Sequence, residues 1–181
     1  MLKINLGSGF KRYPGFTNVD SFKDCSPDHV VNIETESLPF PDNSVDTVLA
    51  HHLLEHLGDG FFHAMKEIYR VCTNDAVIDI HVPHPRHDTF LIDPTHKRPI
   101  YPHTLSMFSK KHNQHDIDNG GCETPIALMN DVDFEVVKYD FVLDPYFKEM
   151  FQTITEEQCE HIARTCNNVI VEIRIQLKVV K

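Results

Sequence analysis

Histidines are the residues of this chain best equipped to do chemistry, and there are thirteen of them in 181 positions. They gather in two places. His51, His52, Glu55 and His56 share one short string, and His84, His87, Asp88, Asp93 and His96 share another. An imidazole with an ordinary pKa of about 6.5 can remove a proton at neutral pH, so His52, His84 and His87 are the candidate general bases. Mixed imidazole and carboxylate can instead hold a divalent metal. The spacing matches no fixed ligand signature and is not H-E-x-x-H, so metal stays the alternative use and no ligand is assigned. For each histidine taken singly, the plainer role is that of a packed or solvated polar residue.

A third set of residues opens the chain. Leu2, Ile4 and Leu6 alternate with Lys3 and Asn5, and the alternation breaks at Gly7-Ser8-Gly9. Glycine there permits positive φ and close approach of a ligand. Phe16 to Val19 then forms a short run that stops at Asp20. In a nucleotide-binding α/β fold, an acid at the tip of the second strand accepts hydrogen bonds from a ribose, with the glycine turn below the ligand. Those residues alone give a nucleotide-like site on a strand-turn-strand.

The elements that must position these groups follow from the pattern. His29 to Ile33 and Val45 to Ala50 read as strands, the latter with the short apolar run of a strand covered on both faces. If the string from His51 to Leu57 were helical, His52 and His56 would share a face. Phe61, Met65, Ile68 and Cys72 recur at helical spacing, Ala76 to Val82 is a strand, and Thr73-Asn74-Asp75 between them reads as a turn. Prolines at 83, 85, 94, 99 and 102 interrupt the next stretch. Pro83 to Pro125 therefore reads as an enlarged lid over the site, with a helix only from about Thr104 to Lys111. Phe134 to Leu143 and Val169 to Val180 are strands, joined by helix between Pro145 and Cys166. Only 11 positions separate Gly9 from Asp20. A crossover between parallel strands needs a dozen or more residues, so the first helix is expected to be reduced or absent.

The ordered series LGSG, NVD, LPFPDNSVDTVLAHHLLEHL and EIYRV resembles the class I S-adenosylmethionine-dependent methyltransferases over roughly Ile4 to Pro83. The resemblance implies an α/β fold, a Rossmann-like doubly wound and mostly parallel sheet whose antiparallel last strand inserts beside the fifth. It implies S-adenosyl-L-methionine as cofactor, bound by Gly7, Ser8, Gly9, Asp20, Ser21, Asn32, Ile33 and His51. Asn32 stands where the family often has an acid that reads the adenine amino group, and its amide oxygen can accept the same bond. The family also often carries lid helices before the first strand, which this sequence lacks. The implied activity is methyl transfer to a small or saccharide-like acceptor, at oxygen. A protein that binds the cofactor or oligomerises without transferring a methyl group is the alternative.

Composition bounds the rest. The length suits one domain, residues 1–181, with 41% apolar and 24% charged residues. No apolar run approaches the roughly 20 residues of a membrane span, and no basic-then-apolar leader is evident. Five cysteines without a C-x-x-C argue for reduced thiols and a cytoplasmic location. A net charge of −10 argues against a phosphate-backbone substrate. The expected partner is a small-molecule acceptor, and homo-oligomerisation is left open.

Overall fold

Ile4, Leu6, Val48, Ala50, Ile78 and Ile80 take alternate positions in their strands. In the computed structural model, which describes residues 1–181, their registers align them on one face of a seven-stranded sheet. The strands are β1 (Leu2–Leu6), β2 (Thr17–Asp20), β3 (His29–Val30), β4 (Val45–His51), β5 (Cys72–Pro83), β6 (Phe134–Leu143) and β7 (Ile170–Val179), in the order β3-β2-β1-β4-β5-β7-β6. β1 to β5 run parallel, and β7 pairs antiparallel with both β5 and β6. The order reverses between β1 and β4, the switch point at which ligands bind in such sheets. No helix is long and apolar enough to cross a membrane.

Helix α1 (Phe61–Val71) carries its apolar residues at the spacing the sequence shows. Its Phe61, Ala64, Met65 and Ile68 join the apolar sheet face in one core, together with Ile100, Leu105 and Phe108. Each of these side chains larger than Ala64 contributes about 1.5–3 kcal/mol by leaving water. Arg70 fastens α1 to the turn before β4, donating to the Leu38 and Phe40 carbonyls and to Glu67, whose carboxylate also accepts the Leu38 N–H at 2.7 Å.

The opposite sheet face is polar. Asn5, Leu49, Asp79 and Gln176 lie across one register, with His51, His81 and Arg174 across another. No second apolar cluster forms there, and Asp46, Thr47 and His51 of β4 stay partly exposed instead of covered. The cause is the short link from β1 to β2, which contains no helix. Arg12 spans that link, donating at 3.1 Å to Ser8 Oγ and to the Gly9 carbonyl, and also to the carbonyls of Cys25 and Ser26. One arginine thereby joins the two loops that a helix would have braced.

Other segments differ from their sequence pattern. β5 begins at Cys72 and runs through Thr73-Asn74-Asp75, with Asp75 at φ 62° absorbing the irregularity that reads as a turn. The region of His52 to His56 is a single 3-10 turn over Leu54–His56, so those histidines do not share a helix face. The stretch from Pro83 to Pro125 divides in two. Around residues 88–99 it is mostly exposed and includes short α2 (Asp88–Leu91), whereas Ile100, Leu105 and Phe108 are at most 1% exposed. Its second half is therefore anchored in the core through Ile100, Leu105 of α3 (Pro102–Ser106) and Phe108, while α4 (Lys110–Asp118) buries only Asn113. Three widely spaced apolar residues among prolines and histidines hide that burial from a pattern search. Short α5 (Ile126–Asn130) follows, and two helices, α6 (Pro145–Met150) and α7 (Glu156–Thr165), occupy the link before β7.

Candidate active site

The glycine turn forms because β1 must end against β2 without a side chain in the way. Gly7 sits at φ +62°, and a Cβ there would stand 2.9 Å from Leu53 Cδ1. The Gly7 and Ser8 N–H groups donate to the Val19 carbonyl at 2.9 and 3.2 Å. Asp20 closes the turn by accepting the Gly9 N–H at 2.7 Å and the Phe22 N–H at 2.8 Å. In front of it opens a cavity of about 330 Å³ whose walls include Gly7, Asp20, Ser21, Asn32 and Ile33.

Leu53, His56 and Leu57, from the loop after β4 that the sequence placed at the crevice, also line that cavity, as does Glu34, which was not evident as a site residue from the sequence. Glu34 is fixed by accepting the N–H groups of Gly58 (2.7 Å) and Gly60 (3.2 Å). A Cβ on Gly60 would meet the Glu34 carbonyl oxygen at 2.4 Å, so this approach demands glycine. The two glycines flanking Asp59 were the available signal. Asn32 turns its amide oxygen onto the Glu34 N–H at 3.0 Å.

Ser8 and Gly9 support the turn without lining the cavity, and His51 faces away from it. Strand alternation carries the His51 ring to the polar face, where Nε2 meets Asp79 at 2.8 Å and the ring stacks on His81 at 3.8 Å. His52 is different. It borders the first cavity and also a second one of about 350 Å³, bounded by Pro83, Thr89, His96, Glu172 and Arg174. Its backbone stands at φ 54° with its N–H on the His81 carbonyl at 2.8 Å. A non-glycine residue held in that region is an outlier of the kind found at functional sites. Its Nε2 lies 3.1 Å from Glu172 and its Nδ1 3.4 Å from the Glu55 carboxylate. Those carboxylates, Glu55 foremost, raise the His52 pKa against the opposing effect of burial.

His84 and His87 are not brought to either cavity. His84 is 6% exposed, accepts the Arg86 N–H on Nδ1, and packs edge-on to Tyr101 and Phe141. Burial, reinforced by Arg86 and His87, pushes its pKa down to about 4. His87 caps α2 through the Thr89 N–H and reaches Asp144 at 3.3 Å. Both rings are structural posts behind the crevice, because the chain turns sharply at Pro83 and Pro85 and carries them under the loop. Of the mixed string His84 to His96, only Thr89 and His96 face the second cavity.

Residues 16–78 match the family model described as a methyltransferase domain. An S-adenosylmethionine-dependent methyltransferase from Archaeoglobus fulgidus superposes at TM-score 0.68 and 20% identity, covering 97% of this chain and 85% of that one. The match to a methyltransferase domain covers about a third of the chain, and the structure shares the fold of an S-adenosylmethionine-dependent methyltransferase. A second protein of that description, from Methanosarcina mazei, matches at TM-score 0.58 and 13% identity over 98% of this chain and 92% of that one. The 4+2 cyclase SpnF shares the fold at TM-score 0.57 and 14% identity, over 98% and 75% of the two chains. No curated protein sequence matches the chain. S-adenosylmethionine is the cofactor named for the Archaeoglobus fulgidus and Methanosarcina mazei proteins. The first cavity fits it chemically, with a carboxylate beside a glycine turn and walls that alternate apolar and polar groups.

Proposed function

We propose that this methyltransferase places the methyl group on an oxygen of a small, hydroxyl-rich acceptor held in the second cavity. The carrying observation is the position of His52, which alone among the sequence-derived bases borders both cavities. S-adenosylmethionine supplies an electrophilic methyl carried on a sulfonium. Asp20 would hold the ribose, Asn32 and Ile33 the adenine, and the turn at Gly7, Ser8 and Gly9 would let the backbone lie close. The remaining work of the chain is alignment, exclusion of water and removal of the acceptor proton.

The second cavity supports a polar acceptor. Thr89, His96, Glu172 and Arg174 offer hydrogen-bond donors and acceptors in place of an apolar slot. Arg174 is already neutralised by Glu172 at 2.6 Å, so the wall holds no free cation for a phosphate backbone. Methyl transfer from labelled S-adenosylmethionine to a panel of sugars, polyols and amines tests the reading. Hydroxyl acceptors should take up label, and His52→Ala should lower turnover by about 10²–10⁴-fold with S-adenosylhomocysteine affinity nearly unchanged. Undiminished turnover in that variant removes His52 as the base.

A second reading is that the chain binds the cofactor without transferring its methyl. The missing first helix and the Arg12 brace favour it, and SpnF shows that the fold can serve a differently named activity. Retained S-adenosylhomocysteine binding with no labelled product from any acceptor would select this reading.

A further inference from the structure

We propose that Glu55, His56 and His96 form a binding site for a divalent transition-metal ion in the wall between the two cavities. Ligand atoms of the three side chains lie within 4.8 Å of one another. His56 borders the first cavity and His96 the second. Beneath them Glu55 is 0% exposed, and neither of its carboxylate oxygens has a hydrogen-bond partner. His52 Nδ1 lies 3.4 Å from one of them, an ion-pair contact without hydrogen-bond geometry. A buried carboxylate is costly unless it is paired or coordinates a metal.

The two imidazoles are already oriented for ligation. His96 Nδ1 lies 2.8 Å from the Phe90 carbonyl, an acceptor only, so Nδ1 carries the proton and Nε2 keeps its lone pair. His56 Nδ1 lies 2.8 Å from Thr95 Oγ1, whose own proton goes to Asp93 at 2.6 Å. That hydroxyl can then only accept, and His56 Nε2 is left free. A proton on one ring nitrogen held by an oxygen is the arrangement that fixes metal-binding histidines. Bonds of about 2.0–2.2 Å at tetrahedral angles set ligand atoms about 3.4 Å apart, so side-chain rotations of about 1 Å close the site.

Two other clusters in the molecule lack this feature. Glu123 gives one oxygen each to His103 and His112, at 2.7 and 2.8 Å, near the surface. Asp79 is satisfied by His51 at 2.8 Å. Of the three clusters, only that of Glu55 holds a buried carboxylate with no hydrogen-bond partner. Two histidines and one carboxylate suit zinc, manganese or ferrous iron and leave coordination positions open. On the methyl-transfer reading above, an acceptor hydroxyl entering beside His96 could fill one and lose its proton more easily.

The test uses the full chain, stripped with chelator and titrated with Zn²⁺ by calorimetry, and with Co²⁺ by absorption spectroscopy. Glu55→Gln and His96→Ala should each bind one ion fewer than wild type, or bind it about 100-fold more weakly, while His103→Ala and His81→Ala keep this ion. Thr95→Val should weaken it by about 10–100-fold through the lost support of His56. Glu55→Gln is isosteric, so circular dichroism and S-adenosylhomocysteine affinity should stay at wild-type values. Unchanged stoichiometry and affinity in Glu55→Gln would overturn the metal site. Metal binding that persists in a protein giving no methylated product would retire the methyl-transfer reading and leave the metal site standing.

Discussion

Asp20 shows how much one residue carries here. Its two oxygens hold the Gly9 and Phe22 N–H groups, so it shapes the glycine turn before any ligand arrives. Each oxygen retains a lone pair, and a ribose hydroxyl donating to a charged group contributes on the order of 1.5–3 kcal/mol. Calorimetry should therefore find that Asp20→Ala binds S-adenosylhomocysteine about 10–100-fold more weakly than wild type. Equal affinity would place the ribose elsewhere. His51 teaches the converse. Although it adjoins His52 in sequence, alternation along β4 puts its ring on Asp79 and Tyr13 instead of the crevice.

Among the elements, the segment after β5 needs the most revision. Its first part exposes Leu91 and Ile92 at 66% and 76%, while Ile100 and Leu105 further on are sealed in the core. Local opening is easiest where few apolar contacts must be broken. Limited proteolysis should thus cut first near α2, within residues 88–93, and occupation of the second cavity should slow that cut because Thr89 and His96 face it. Early cleavage between Ile100 and Phe108 would contradict the division of the segment. The link from β1 to β2 is the other telling element, since its shortness removes a helix and Arg12 takes over the bracing.

At the scale of the whole molecule, His84 couples stability to pH. It is packed against Tyr101 and Phe141, with Arg86 and His87 as its charged neighbours, and its folded pKa of about 4 lies below the ordinary 6.5. Between those values the unfolded chain binds the extra proton and the folded one does not. Stability should therefore rise with pH through this window, by up to about 3 kcal/mol, and fall as the pH drops through it. Urea unfolding at about pH 4.5 and about pH 7 measures the difference, and His84→Gln should flatten it. An equal pH dependence in that variant would assign the effect to other groups.

The sequence by itself determined the helix over Phe61–Val71 and the missing first helix, because these rest on periodicity and chain length, while the doubly wound sheet with its last strand beside the fifth came from the resemblance. Gly7 and Asp20 were legible from the glycine turn and the end of the second strand, whereas Ser21, Asn32 and Ile33 were placed at the cavity by the resemblance. Tertiary structure alone decided which histidines meet. His52 gained its place between two cavities from a left-handed backbone and from Glu172, 120 residues distant. Glu55, His56 and His96 came together across a 3-10 turn and a loop 40 residues on, and His84 and His87 were drawn into packing. Spacing along a chain states which groups share an element. It carries no information on burial or on contacts between elements, and those decide whether an imidazole acts as a base, a metal ligand or a post.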